Sequence, residues 1–181
     1  MTAFGPYTIT VNGSLQANGT DYQPIVFTSF NDANGWGGIR FLPSSNNNLL
    51  TNCLIENVRN TDPNIEGGAI YCSSPSVEIR TCRIKNCSTV SNGAGIFIAN
   101  EANHSTLIAQ TRIHNNVADQ RGGGIAMQGA YHVTIENCLI YNNEAVAAAG
   151  SGGAGIHVVG PGNPVITVSY THLTLPTICS V

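Results

Sequence analysis

Four residues recur at one place in a repeated string and together carry the groups of acid–base chemistry. The string is Cys/Thr-x-Ile-x-Asn, found at residues 53–57, 82–86, 111–115 and 138–142. Its fourth position holds Glu56, Lys85, His114 and Tyr141, which supply a carboxylate, an amine, an imidazole and a phenol. If the strings lie one above another, these groups stand close enough to exchange protons. Pairing of opposite charges on neighbouring strands accounts for Glu56 and Lys85 equally well, and exposed pairs contribute little. A second series, Arg40, Tyr71, Phe97, Ala126 and His157, sits at one position of a Gly-rich step. Its aromatic rings either offer a platform for sugar rings or pack beneath connections such as residues 99–105. His104 and His132 precede strands and read as solvated loop residues.

Cysteines open three of the four strings, at Cys53, Cys82 and Cys138, and Thr111 opens the fourth. Free cysteine packs as a small apolar residue, so stacked buried thiols are expected. Zinc would ask for a CxxC pair or nearby histidines, and neither is present. A local Cys82–Cys87 disulfide is the alternative, although an odd cysteine count outside the tail described below gives no tidy framework. No metal and no cofactor is expected.

Composition narrows the class of protein. Charged residues are 9% of the chain and apolar ones 42%, the reverse of a disordered segment. A net charge of -3 gives no reason to expect nucleic acid as a partner. No apolar run approaches the roughly 18 residues of a membrane span. The opening MTAFGPYTITV lacks the basic and apolar regions of a signal peptide. Residues 168–181, VSYTHLTLPTICSV, break every pattern and resemble the translation of a common transposase sequencing adapter. They read as a non-native tail, which removes His172 and Cys179 from consideration.

The elements that must position these side chains follow from the repeat. The Gly-rich step recurs before Ile39, Ile70, Ile96, Ile125 and Ile156, which are 31, 26, 29 and 31 residues apart. Between step and string, segments such as Val77-Glu78-Ile79-Arg80 and Val133-Thr134-Ile135-Glu136 alternate apolar and polar residues with the period of a strand. Each unit of about 29 residues thus holds three short strands and no helix. Three such strands cannot bury their apolar faces alone, so copies must stack and pair each strand with its equivalent one coil away. Parallel crossovers are right-handed in nearly all cases. The fold class expected is therefore all-β, a right-handed single-stranded parallel β-helix over residues 1–167, with opening coils at 7–36 and regular coils at 37–167. Three inward columns follow: Ile39, Ile70, Ile96, Ile125 and Ile156; Ile55, Ile84, Ile113 and Ile140; Leu50, Ile79, Ile108, Ile135 and Ile166. Asn57, Asn86, Asn115 and Asn142 should turn the chain at a corner, with their amides hydrogen-bonded along the stack.

The Gly-Gly-x-Ile steps, Ile-x-Asn ends and coil length resemble the parallel β-helix repeats of the pectin-lyase-like superfamily over residues 7–167. Within that span, residues 9–17, Gly19-Thr20, residues 24–29 and Trp36-Gly37-Gly38-Ile39 are similar to the opening coils of large bacterial surface or secreted β-helix proteins. Gly67-Gly68-Ala69-Ile70 also matches a repeat of chlamydial polymorphic outer-membrane proteins, but their companion Phe-x-x-Asn does not. The resemblance implies a secreted or cell-surface protein.

Enzymes of this fold set requirements that the chain does not meet. A calcium-dependent lyase gathers carboxylates on one face; Glu56 and Glu78 fall on different strands, and Glu136 shares its column with Ala109 and Arg80. A polygalacturonase needs four strings, of which Asn60-Thr61-Asp62 and Arg83-Ile84-Lys85 are present and Asp-Asp and Gly-His-Gly absent. Asp62 alone is not the carboxylate pair of an inverting glycosidase. The expected function is a non-catalytic stalk, adhesin or glycan-binding scaffold with no catalytic residues. Its partner is a polysaccharide or cell-surface glycan, with Arg40, Tyr71, Phe97 and His157 as ligand contacts. The alternative is a fragment of a polysaccharide lyase or glycoside hydrolase whose catalytic coils are missing. An ending in mid-coil at Thr167 would leave an uncapped sheet edge.

Overall fold

Period-two alternation gives short strands, and each finds its hydrogen-bonding partner in the equivalent strand of the next coil. A computed structural model describes residues 7–30, 35–99, 104–129, 132–146 and 153–167. The tail at 168–181 and most of the 99–105 connection lie outside the described residues. The first sheet contains Ile9–Val11, Ile39–Phe41, Ile70–Cys72, Ile96–Ala99, Ile125–Gln128 and Ile156–Val159. The second holds Gln16–Asn18, Asn48–Thr51, Ser76–Arg80, Ser105–Ala109, Val133–Glu136 and Val165–Thr167. Ile25–Phe27, Cys53–Glu56, Arg83–Lys85, Arg112–His114 and Leu139–Tyr141 form the third. All strand pairs among the described residues are parallel.

The three expected columns are in register. Ile55 pairs with Ile84, Ile84 with Ile113, and Ile113 with Ile140. Ile39, Ile70, Ile96 and Ile125 run down the first sheet, while Leu50, Ile79, Ile108 and Ile135 run down the second. Nearly all of these side chains are fully buried, each stabilising the stack by roughly 1.5–3 kcal/mol. Burial weakens in the last described coil, where Ile166 is 40% exposed.

Four of the regular coils also carry a fourth strand that the residue pattern did not reveal. Arg59–Asn60, Ser88–Thr89, Val117–Ala118 and Glu144–Ala145 make a sheet of their own. Two residues are too few to display an alternation, so only pairing with the neighbouring coil exposes them.

Both ends of the third sheet's strands turn on left-handed residues. Asn57, Asn86, Asn115 and Asn142 have φ of 59°, 56°, 57° and 50°, as expected of a corner. A second row, unforeseen, precedes the strands: Asn52, Thr81, Gln110 and Asn137, with φ of 49°, 50°, 51° and 53°. The buried amide ladder is not at the corner but one residue beyond it. Asn86, Asn115 and Asn142 are exposed, whereas Asn116 and Asn143 are buried. The left-handed residue points its side chain out, and the next one points in, where main-chain groups have no water.

The Gly-rich step is a place of close contact between coils. A Cβ added at Gly124 would stand 2.4 Å from the carbonyl oxygen of Gly155 in the coil beyond. Only a residue without a side chain lets the two backbones approach so closely.

Candidate functional site

The first-sheet column forms as spaced. Arg40 is in register with Tyr71, Tyr71 with Phe97, Phe97 with Ala126, and Ala126 with His157. The rings of Tyr71 and Phe97 stack at 5.8 Å and 5°, and the Arg40 guanidinium lies 5.2 Å from the Tyr71 centroid. Both faces of Tyr71 are thus occupied by neighbours in the stack, Arg40 on one coil and Phe97 on the other. Phe97 is 4% exposed and Ala126 2%. Arg40 is further tied to the connection through the carbonyls of Glu66 and Gly67, at 2.7 and 3.3 Å. That connection is itself pinned, the Glu66 carboxylate accepting from Ser91 and Asn92. His157 is half-buried, and burial lowers its pKa, with the Arg121 charge acting in the same direction. The column therefore presents ring edges rather than ring faces, because residues one coil apart stack on each other before any ligand can.

The acid–base series also stands in one line on the outer face of the third sheet. Lys85 Nζ and Glu56 Oε2 form an ion pair at 3.1 Å. His114 and Tyr141 stack at 4.7 Å and 10°, which brings ring faces together while in-plane N–H and O–H directions point elsewhere. Burial lowers the His114 pKa, and the cations Lys85, Arg83 and Arg112 add to that shift. The series is two consecutive pairs, not a proton relay.

The two strings shared with polygalacturonases fall on different parts of the coil. Asp62 Oδ1 accepts the main-chain and side-chain N–H of Asn64 in a local turn. Asn60 is buried and donates to the carbonyls of Ile65 and Gly67. Lys85 is already paired with Glu56.

The residue pattern missed a groove of about 310 Å³ beside the third sheet. Arg83 and Arg112 line it, together with Asn52, Thr81 and Gln110 of the left-handed row and Asp21 of an opening coil. Arg83 pairs in register with Arg112, placing like charges one coil apart, about 4.8 Å between backbones. Both are exposed, and among the described residues neither guanidinium enters an ion pair. The signal was present in the sequence as Arg at the second position of two successive strings. It went unread because only the neighbouring turn shows that a recess forms there.

The thiols are buried as expected. Cys53, Cys72, Cys82, Cys87 and Cys138 are all free, so the Cys82–Cys87 alternative does not occur. Thr111 takes the place of a cysteine, its hydroxyl donating to Ala109 at 2.9 Å as Cys138 does to Glu136 at 3.3 Å. His104, expected in solvent, is 7% exposed; it continues inward in phase with Thr106, two residues on. Among the described residues no three His, Cys, Asp or Glu side chains gather to hold a metal. No helix among them is long and apolar enough to cross a membrane.

Stacked coils, parallel sheets and turning asparagines define this chain as a parallel β-helix repeat protein. Residues 90–172 match the family model for the right handed beta helix region, in keeping with the hand expected of parallel crossovers. An architecture of this kind is consistent with the pectin-lyase-like superfamily. No curated protein and no solved structure matches the chain.

Proposed function

We propose that this chain is a non-catalytic module of a secreted or cell-surface protein that holds an anionic polysaccharide or surface glycan against the third sheet. The observation that carries this reading is the in-register pair Arg83 and Arg112 in a groove of about 310 Å³. Adjacent like charges oppose each other, and a carboxylate or sulfate on a sugar would relieve both. Guanidinium groups suit such anions because they donate two parallel hydrogen bonds. Amides of Asn52 and Gln110 and the hydroxyls of Thr20 and Thr81 line the same groove and supply partners for sugar hydroxyls. Asp21 is the one carboxylate among its lining residues, whereas glycoside hydrolysis ordinarily employs two. Arg40 and Tyr71, on the first sheet, are a second place where a glycan can rest against ring edges.

Isothermal titration with polygalacturonate and sulfated oligosaccharides, with neutral dextran as control, tests the reading. Anionic chains should bind and dextran should not. Arg83→Ala combined with Arg112→Ala should weaken binding at least tenfold, and so should raised salt. Equal binding of dextran, or no effect of the double substitution, would overturn the site. Unsaturated uronate products appearing with calcium would favour the lyase alternative instead.

A further inference from the structure

Cys53 and Cys82 are consecutive members of one inward column. Thr51 pairs with Arg80 before them and Leu54 with Arg83 after them, so the two cysteines lie side by side one coil apart. Equivalent backbones in adjacent strands are about 4.8 Å apart, inside the range of roughly 4.4–6.8 Å between Cα atoms that a disulfide spans. Their surroundings repeat too. Cys53 Sγ donates to the carbonyls of Ala17 and Thr51 at 3.5 and 3.4 Å. Cys82 Sγ donates to those of Leu50 and Arg80 at 3.4 and 3.1 Å.

Among the described residues no other cysteine has such a neighbour. Thr111 separates Cys82 from Cys138 along the column. Cys72 stands between Phe41 and Ile98, and Cys87 shares its column with Val58 and Asn116. Access is also particular to this pair. Although Cys53 and Cys82 are only 2% and 3% exposed, both line the groove beside the third sheet.

We infer that Cys53 and Cys82 form a redox site, in which a small-molecule disulfide entering the groove oxidises them to a disulfide joining successive coils. The Cys53 thiolate attacks one sulfur of the small disulfide, and the displaced thiolate leaves and takes up a proton. Cys82 then loses its proton and attacks the Cys53 sulfur of the mixed disulfide, releasing the second small thiol. The protein gives up two electrons and two protons, and the small disulfide gains both as two thiols. Either sulfur can make the first attack, because the two stand side by side and the product is the same disulfide. Burial raises Cys72, Cys82 and Cys87 alike, so what sets Cys53 and Cys82 apart is their adjacency and their place on the groove. The new bond would add a covalent tie between two coils otherwise held by non-covalent contacts, opposing their separation from the stack.

The test uses the full chain, reduced, then incubated with glutathione disulfide under native conditions, alkylated in denaturant and mapped by mass spectrometry without reductant. The expected result is a peptide linking Cys53 to Cys82, lighter by about 2 Da than its two reduced parts, with Cys72, Cys87 and Cys138 alkylated, whatever the state of Cys179 in the tail. With Cys82→Ser, the reaction should stop at a glutathione adduct on Cys53. A wild-type protein that keeps both thiols, halts at a mixed disulfide or joins Cys82 to Cys87 overturns the inference. The wild-type map decides the question whether or not the variant folds.

Discussion

Asn116 and Asn143 hold one another across a coil boundary, the Asn116 side-chain amide donating to Oδ1 of Asn143 at 3.0 Å. Each also reaches back one coil, Asn116 Nδ2 to the Ile84 carbonyl at 3.2 Å and Asn143 Nδ2 to that of Ile113 at 2.9 Å. Asn116 Oδ1 accepts the main-chain N–H of Cys87 at 3.0 Å. A single side chain therefore satisfies donors and acceptors of three coils at a place water does not reach. Such groups are costly when left unpaired.

Replacing Asn116 with Leu keeps the number and branching of side-chain heavy atoms and removes these partners. The Cys87 N–H and the Ile84 carbonyl lose their side-chain partner, so a loss of about 2–4 kcal/mol is expected. Urea denaturation followed by circular dichroism checks it. A change below about 0.5 kcal/mol, the scale of an inconsequential surface substitution, would show that the ladder is dispensable.

Thr81 is a β-branched residue with φ of 50°, a conformation its side chain disfavours. Its equivalents one coil to either side are Asn52 and Gln110, and Asn137 completes the row. Thr81→Asn or Thr81→Gly should raise stability by about 1 kcal/mol, since strain in the folded state is relieved. A lower denaturation midpoint in both variants would contradict the strain.

His114 gives the stack a dependence on pH. Its folded pKa lies below the ordinary value of about 6.5 because burial, with the nearby cations, penalises the charged ring. The unfolded chain then binds the proton more readily than the folded one. The contribution of neutral His114 is fully present above the unfolded pKa and is lost as pH falls from there through the folded value. His157 acts in the same sense. Thermal midpoints should drop between pH 7.5 and 5, and the drop should shrink in His114→Phe, which keeps the stack on Tyr141. An identical pH profile in the variant would assign the effect elsewhere.

Glu56 and Lys85, joined at 3.1 Å with side chains 18% and 27% exposed, test whether the outer series is structural. A double-mutant cycle with Glu56→Gln and Lys85→Met should yield a coupling of roughly 0.5–1 kcal/mol, with glycan binding at the arginine groove retained. Loss of binding with either single substitution would place the pair in the site.

The inward half of this protein was legible from residue order. Period-two alternation says which side chains face in, and the Gly-rich steps and asparagine corners say how many residues make a turn. Together these specify the register, so Ile84 was expected between Ile55 and Ile113 and is found there. The outer half was not legible to the same degree. Alternation assigns Tyr71 and Phe97 to the outside without saying that their rings face each other. It cannot distinguish the corner Asn115, exposed, from the inward Asn116 that bears the ladder.

Sequence by itself determined the coil: its length, its buried columns and the residues able to turn it, because each of these depends on side-chain type at short range. Tertiary structure alone decided what lies beside what once coils are stacked. The Arg83–Arg112 groove, the mutual stacking of Tyr71 and Phe97 and the amide ladder at Asn116 all arise from neighbours about thirty residues away or from a turn whose path no local pattern encodes. Local preference sets the direction in which a side chain points, and packing against the next coil sets what it meets.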